Sequence, residues 1–62
     1  MFMKLIDIID VLNGPVEVKT FMDRRVLFEG LVPQIPEDLY NCYIHLVFSS
    51  GDKLIILTRS YV

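Results

Sequence analysis

The sequence predicts an α+β fold, in which an N-terminal helix packs on a four-stranded, mainly antiparallel sheet of two hairpins, with a short helix between the hairpins. Three observations predict it. Apolar residues recur at helical spacing near the N-terminus, strand-like alternation follows, and the last third is typical of two strands joined by Gly51-Asp52. At 62 residues the chain is expected to form a single domain, residues 1–62.

Residues 3–12 are predicted to form the N-terminal helix. Their apolar side chains, with Phe2, cover an arc of roughly 160° at 100° per residue, and Lys4, Asp7 and Asp10 lie on the other side. The Asn-Gly-Pro run at 13–15 ends the helix, because Gly tolerates the left-handed conformation and Pro cannot continue the hydrogen bonds. The apolar side is expected to pack on the sheet.

Residues 16–22 and 26–32 are predicted to form the first hairpin, because both are rich in β-branched and apolar residues. The intervening Asp-Arg-Arg is expected to supply a three-residue turn. With that turn length the apolar residues share one face. The opposite, solvent-directed face then carries Glu17, Lys19 and Glu29.

The connection between the hairpins contains Pro33 and Pro36, which exclude a central strand there. Proline at a first helical position followed by two acidic residues favours a short helix through about Tyr40. Ile35 and Leu39 are predicted to anchor this helix in the core.

The closing hairpin, residues 41–60, is apolar on both faces. Gly51-Asp52 should form a two-residue turn that pairs Ser50 with Lys53 and fixes the register. The face expected to pack under the helix carries Cys42, Ile44, Leu46, Phe48, Ile55, Leu57, Arg59 and Tyr61. The opposite face, expected to remain open, carries Tyr43, His45, Val47, Leu54, Ile56 and Thr58.

A homodimer is predicted from the same open face. A chain this short approaches the lower limit for unaided folding, and its single cysteine excludes an internal disulfide and a cysteine-rich zinc site. Self-association is the remaining support, and a hydrophobic content of 53% agrees with it. We therefore expect the six residues of the open face to form an interface between two copies.

No pattern in the chain predicts catalysis, a metal site or a cofactor. Cys42 and His45 resemble a thiol nucleophile and its base, but at a spacing of three residues on a strand they point to opposite faces. Asp7 and Asp10 lack the further oxygen ligands that a divalent cation requires. We expect a non-enzymatic protein in which Cys42 is buried and His45 lies at the surface or in the interface.

Arg24 and Arg25 at the first hairpin tip, with Lys19 nearby, form the basic cluster of the sequence. A net charge of −2 and an isoelectric point near 5.0 disfavour nucleic-acid binding. A nucleic-acid-associated regulator is therefore an alternative hypothesis, as is a minor structural component of a phage particle. Arg24 and Arg25 are interpreted as turn residues that aid solubility, and Asp7 and Asp10 as a solvated helix face. Contact with a partner protein is the alternative for all four.

Charged residues interrupt every apolar run well before membrane-spanning length, and the N-terminus lacks a cleavage site typical of signal peptides. The sequence therefore predicts a cytoplasmic protein.

The runs KLIDIIDVLNGPVEVK, VLFEG and IPEDL, followed by a closing hairpin, resemble short accessory proteins encoded by phages and mobile elements of Gram-positive bacteria. Several such proteins inhibit host antiviral defence by binding a host protein or complex, and a short homodimeric inhibitor of the Hachiman defence system is similar in size. The resemblance implies a phage-encoded inhibitor in the host cytoplasm. It assigns no functional residues.

Overall fold

A computed structural model describes residues 3–59, which form one α-helix, three short 3₁₀-helices and a five-stranded mixed sheet. The strands lie in the order β1-β4-β5-β2-β3. In chain order the elements are β1 (Met3–Lys4), α1 (Leu5–Ile8), a 3₁₀-helix (Ile9–Val11), β2 (Pro15–Thr20), β3 (Val26–Leu31), two 3₁₀-helices (Val32–Gln34 and Glu37–Leu39), β4 (Tyr43–Ser50) and β5 (Lys53–Thr58).

The prediction of a four-stranded, mainly antiparallel sheet was wrong. Both predicted hairpins form, as the antiparallel pairs β2–β3 and β4–β5, but β2 and β5 then pair in parallel and join them into one sheet. The physical reason lies in the continuous apolar run at 54–57. A strand that is apolar on both faces is stabilised by neighbours on both sides and by cover above and below, which places β5 near the sheet centre.

The predicted helix at 3–12 forms only in part, because the N-terminal residues find backbone partners in the sheet. Lys4 belongs to β1, which pairs with the first residues of β4. The Leu5 N–H donates to the Cys42 carbonyl oxygen at 2.9 Å. The Lys4 N–H donates to the Asp7 carboxylate at 2.9 Å and thereby begins a one-turn helix.

The core lies between one face of the sheet and the helical segments. The predicted anchors Ile35 and Leu39 are confirmed, each with an exposed fraction of 4%. The predicted short helix is confirmed as a single 3₁₀ turn, Glu37–Leu39. The buried cluster comprises Leu5, Val16, Val18, Val32, Ile35, Leu39, Cys42 and Ile56.

The closing hairpin has the predicted turn but not the predicted faces. Ser50 pairs with Lys53 as expected, whereas the register shifts between Ile44 and Leu46. His45 is the extra residue at this shift, and an extra residue of this kind exchanges the faces of the residues on either side of it. The sequence pattern assumed an unbroken alternation through this position.

Because of this shift, the assignment of the covered and open faces was wrong in part. Cys42, Ile55 and Leu57 are buried as predicted, but other residues of the hairpin have the opposite exposure. Ile56, predicted to be open, has an exposed fraction of 0% and belongs to the core. Leu46 and Phe48, predicted to be core, are exposed by 49% and 41%. Phe2 and Tyr61, placed by the sequence on the helix and on the core face, lie outside the described residues.

Replacement of Ile56 by Ala should test this reversal. We expect Ile56→Ala to lower the free energy of unfolding by about 2–5 kcal/mol, because it removes fully buried methyl groups and leaves a cavity. The matched exposed variant Leu46→Ala should cost less than about 1 kcal/mol. Urea unfolding followed by circular dichroism at one protein concentration measures both, and a larger loss for Leu46→Ala would contradict the assignment.

Candidate functional site

The outer edge of β4 is the most prominent unpartnered feature of the described chain. β1 pairs only with Tyr43 and Ile44, at the beginning of β4. Among residues 3–59, no strand pairs with the outer side of positions 45–50, and all of these positions are exposed. A bare strand edge presents backbone N–H and C=O groups that can pair with another strand.

The register of the closing hairpin identifies the backbone groups at this edge. Ser50 and Lys53 flank a two-residue turn, so their N–H and C=O groups bond to each other. Pairs alternate along an antiparallel ladder, and Phe48 therefore also bonds towards β5. The backbone groups of Val47 and Ser49 consequently point away from β5, into solvent. We call positions 45–50 with these outward groups the open β4 edge.

The open β4 edge carries neither of the two side-chain types that most often oppose strand pairing. β4 has the sequence YIHLVFSS, without a charged residue or a proline, although both are common devices on natural edge strands. On the opposite edge of the sheet, β3 carries Glu29 in its interior and its pairing with β2 is interrupted by a register shift. The sequence signal for the site was this absence of charge, which the sequence analysis attributed to a core on one face of the hairpin and an interface between two copies on the other.

An ion-pair cluster occupies the outer face of the sheet across β5, β2 and β3. The Lys53 Nζ lies 3.0 Å from Glu17 Oε1 and 2.5 Å from Glu29 Oε2. Lys19 Nζ lies 3.5 Å from the other Glu17 oxygen. Glu17 and Glu29 are direct cross-strand partners, so Lys53 offsets the repulsion between two carboxylates. The predicted common direction of Glu17, Lys19 and Glu29 is thus confirmed.

The predicted six-residue interface is divided between the edge and the core. Thr58 is fully buried, and its hydroxyl donates to the Lys19 carbonyl oxygen at 3.2 Å. Leu54 packs against the core cluster, to which Ile56 belongs. The remaining three residues belong to β4, where Tyr43 is exposed by 44% and Val47 by 36%, and His45 is exposed at the register shift.

Cys42 and His45 lie in different environments. Cys42 belongs to the buried cluster, as predicted, and burial raises the pKa of its thiol. A raised thiol pKa reduces the population of the reactive thiolate. The His45 ring stacks on Phe21, with 3.8 Å between ring centroids. The described contacts therefore give no thiol–imidazole pair.

The basic hairpin tip is longer than the predicted three-residue turn, because β2 ends at Thr20. The Thr20 hydroxyl donates a hydrogen bond to the Asp23 carboxylate, and this bond lowers the pKa of Asp23. The Thr20 hydroxyl oxygen also accepts a hydrogen bond from the Arg25 N–H at 3.1 Å. Arg24 has a φ of 58°, and its guanidinium lies 5.5 Å from the Phe21 ring centre. Both arginines are exposed at this tip.

Asp7 and Asp10, the two acidic candidates of the N-terminal segment, have different surroundings in the structure. Asp7 begins α1 through its hydrogen bond to the Lys4 N–H. Asp10 contributes to a groove of about 500 Å³ whose other walls include Leu12, Leu31 and Tyr40. Among residues 3–59, no three histidine, cysteine or acidic side chains are grouped in a way that could hold a metal ion.

Comparison with protein-family models, curated proteins and solved structures found no significant match to this chain. The resemblance to phage accessory proteins therefore still depends on the sequence runs alone. Within residues 3–59 no helix combines the length and the apolar character needed to cross a membrane.

The ion-pair cluster predicts how stability depends on pH. The pKa of Glu17 is lowered from 4.5, chiefly by the hydrogen bond from Lys53. A lowered folded-state pKa contributes stability that is complete above the unfolded-state pKa and is lost as the pH falls through the folded-state pKa. We expect Glu17→Gln to unfold at lower urea concentration than wild type at about pH 7, and this difference to shrink towards about pH 3.

Urea midpoints measured across that pH range test this expectation. Glu37→Gln serves as the control, because it removes one exposed carboxylate from a connecting 3₁₀-helix. A difference between Glu17→Gln and wild type that stays constant with pH would show that the cluster has no role in acid stability.

The left-handed backbone conformation of Arg24 predicts that glycine at this position stabilises the protein. A non-glycine residue in the left-handed region costs roughly 1–2 kcal/mol, whereas the exposed contact of Arg24 with the Phe21 ring is worth about 0.5–1 kcal/mol. Arg24→Gly should therefore raise the free energy of unfolding by about 0.5–1 kcal/mol. Arg25→Gly, at a position without positive φ, should lower it, and chemical denaturation distinguishes the two. A loss in Arg24→Gly as large as that in Arg25→Gly would contradict the strain argument.

Proposed function

We propose that this protein is a non-enzymatic interaction protein that binds another polypeptide by accepting a strand at the open β4 edge. The single observation that carries the proposal is the outer edge of β4 at positions 45–50. No strand in the described part of the chain covers this edge, and the eight-residue strand has no charged side chain. In recognition of this kind, backbone hydrogen bonds supply affinity and alternate side chains supply specificity.

The side chains along the edge fit that role. Leu46 and Phe48 lie on the outer face and are exposed by 49% and 41%. Val47 is on the opposite face and is exposed by 36%. An added strand would therefore bury apolar surface on both faces while its backbone bonds to Val47 and Ser49.

A finer proposal follows from the sequence resemblance. In that proposal the protein is a phage-encoded inhibitor of bacterial antiviral defence that acts in the host cytoplasm by occupying a surface of a host protein. Arg24 and Arg25 at the hairpin tip, and Asp7 and Asp10 on the N-terminal segment, are exposed and available for contacts beyond the edge. The support for the antiviral role is the resemblance, whereas the support for strand addition is the geometry of β4.

The edge proposal is tested by placing a charge on β4. Leu46 and Val26 are matched for this purpose, since both are apolar residues of outer strands with exposed fractions of 49% and 48%. We expect Leu46→Lys to abolish capture of the cognate partner by the tagged protein from a Gram-positive host lysate, because lysine on an edge strand opposes pairing. Val26→Lys should retain that capture.

The partner identified in this way is then purified, and its Kd is measured for wild type and both variants. We expect Leu46→Lys to weaken binding by at least about tenfold. Equal binding by wild type, Leu46→Lys and Val26→Lys would overturn the proposal that the open β4 edge is the binding site.

A further inference from the structure

We propose that a second copy of this chain supplies a strand to the open β4 edge, with the two β4 strands antiparallel across a two-fold axis at Phe48. This inference rests on the proposed function and names the occupant of the edge in the isolated protein, which a host partner would have to displace. It joins two five-stranded sheets into one continuous sheet. In a two-fold arrangement the same surface serves both copies, so the edge must be complementary to itself.

The backbone determines the register. In an antiparallel pair of identical strands, the residues that bond across the axis must both have outward N–H and C=O groups. On the open β4 edge these are Val47 and Ser49. Val47 of each copy can pair with Ser49 of the other copy. This pairing uses the outward N–H and C=O groups of both residues in both copies. The axis then passes through Phe48.

The short strand β1 excludes the neighbouring register on one side. If Val47 paired with itself, Ser50 of the second copy would lie opposite Ile44, whose outer side already pairs with Met3. If Ser49 paired with itself, the overlap would shorten and the groups of Val47 would remain unbonded. The register centred on Phe48 is therefore the one that fills the open β4 edge and ends where β1 begins.

The side chains are compatible with that register. Phe48 of one copy lies opposite Phe48 of the other in a non-hydrogen-bonded pair. Such pairs have the shorter Cα–Cα distance of the two pair types, which favours contact between the aromatic rings. Leu46 lies opposite Ser50. No formal charge lies on β4, so the two-fold axis brings no like charges together. Beyond the paired segment, His45 lies opposite Gly51, beside the turn residue Asp52.

Cysteine cross-linking tests the register directly. At the axis the two Cα atoms are about 4.5 Å apart, within the range that a disulfide spans. We expect Phe48→Cys to form an intermolecular disulfide under mild oxidation at least about tenfold faster than Leu46→Cys. An equimolar mixture of Leu46→Cys and Ser50→Cys should form the mixed dimer. The native Cys42 is buried, and the unmodified protein provides its background.

Charged substitutions of opposite sign at Phe48, the residue on the two-fold axis, test whether the partner is a second copy. Phe48→Glu and Phe48→Lys should each raise the dimer Kd by at least about tenfold, because like charges then lie directly opposite. Their equimolar mixture should recover a dimer in sedimentation equilibrium. Val26→Lys, on the other outer strand, should leave the wild-type dimer unchanged.

The outcomes separate this inference from the proposed function. If wild type is a monomer and Phe48→Cys cross-links no faster than Leu46→Cys, the second copy is not the occupant. Capture of a partner that is still lost in Leu46→Lys but not in Val26→Lys would then leave strand addition intact. A dimer that persists in Phe48→Glu by itself and in Phe48→Lys by itself would overturn the register. If no variant weakens either dimer formation or partner capture, both proposals are wrong.

Discussion

The parallel pairing of β2 with β5 is the constraint on which the rest of the structure depends. It places Val16 beside Leu54 and Val18 beside Ile56, and these residues form or contact the buried cluster. Parallel pairs are stable where both faces are covered. The helical segments cover one face, and the ion pairs around Lys53 with the flanking side chains cover much of the other. Without this pairing the chain would be two hairpins, each too small to be stable alone.

The open β4 edge is a consequence of the same pairing. Because β5 bonds to β2 on one side, β4 has β5 as its long neighbour, and within residues 3–59 its other side is met only by the two residues of β1. The long edge strands of the sheet are β4 and β3, and they differ in sequence. β3 carries a charged residue in its interior, whereas β4 is longer and has none, and each strand has a register shift against its inner neighbour. The two edges therefore differ in length and charge.

Local chemistry explains what the sequence could predict. The Gly51-Asp52 turn, the anchors Ile35 and Leu39, and the outward direction of Glu17 each depend on neighbouring residues, and each is confirmed. The β2–β5 pairing joins segments far apart in the chain, and alternation alone does not specify it. The register shift at His45 has no turn residue or glycine to mark it, yet it decides which face of the hairpin is open. The predicted interface and the candidate edge therefore lie in the same hairpin, but Leu54, Ile56 and Thr58 of that interface are buried or pack against the core.

The remaining chemistry of the chain argues for recognition through the backbone. Several of its acidic and basic side chains have structural roles: Lys53 joins two carboxylates, Asp7 begins α1, and Asp23 holds the hairpin tip. The single thiol is buried. The described surface also offers a row of peptide groups flanked by apolar side chains. Peptide groups recognise other peptide groups, and in a strand they do so with a fixed spacing. A small chain that keeps such a row exposed is therefore best suited to bind another strand.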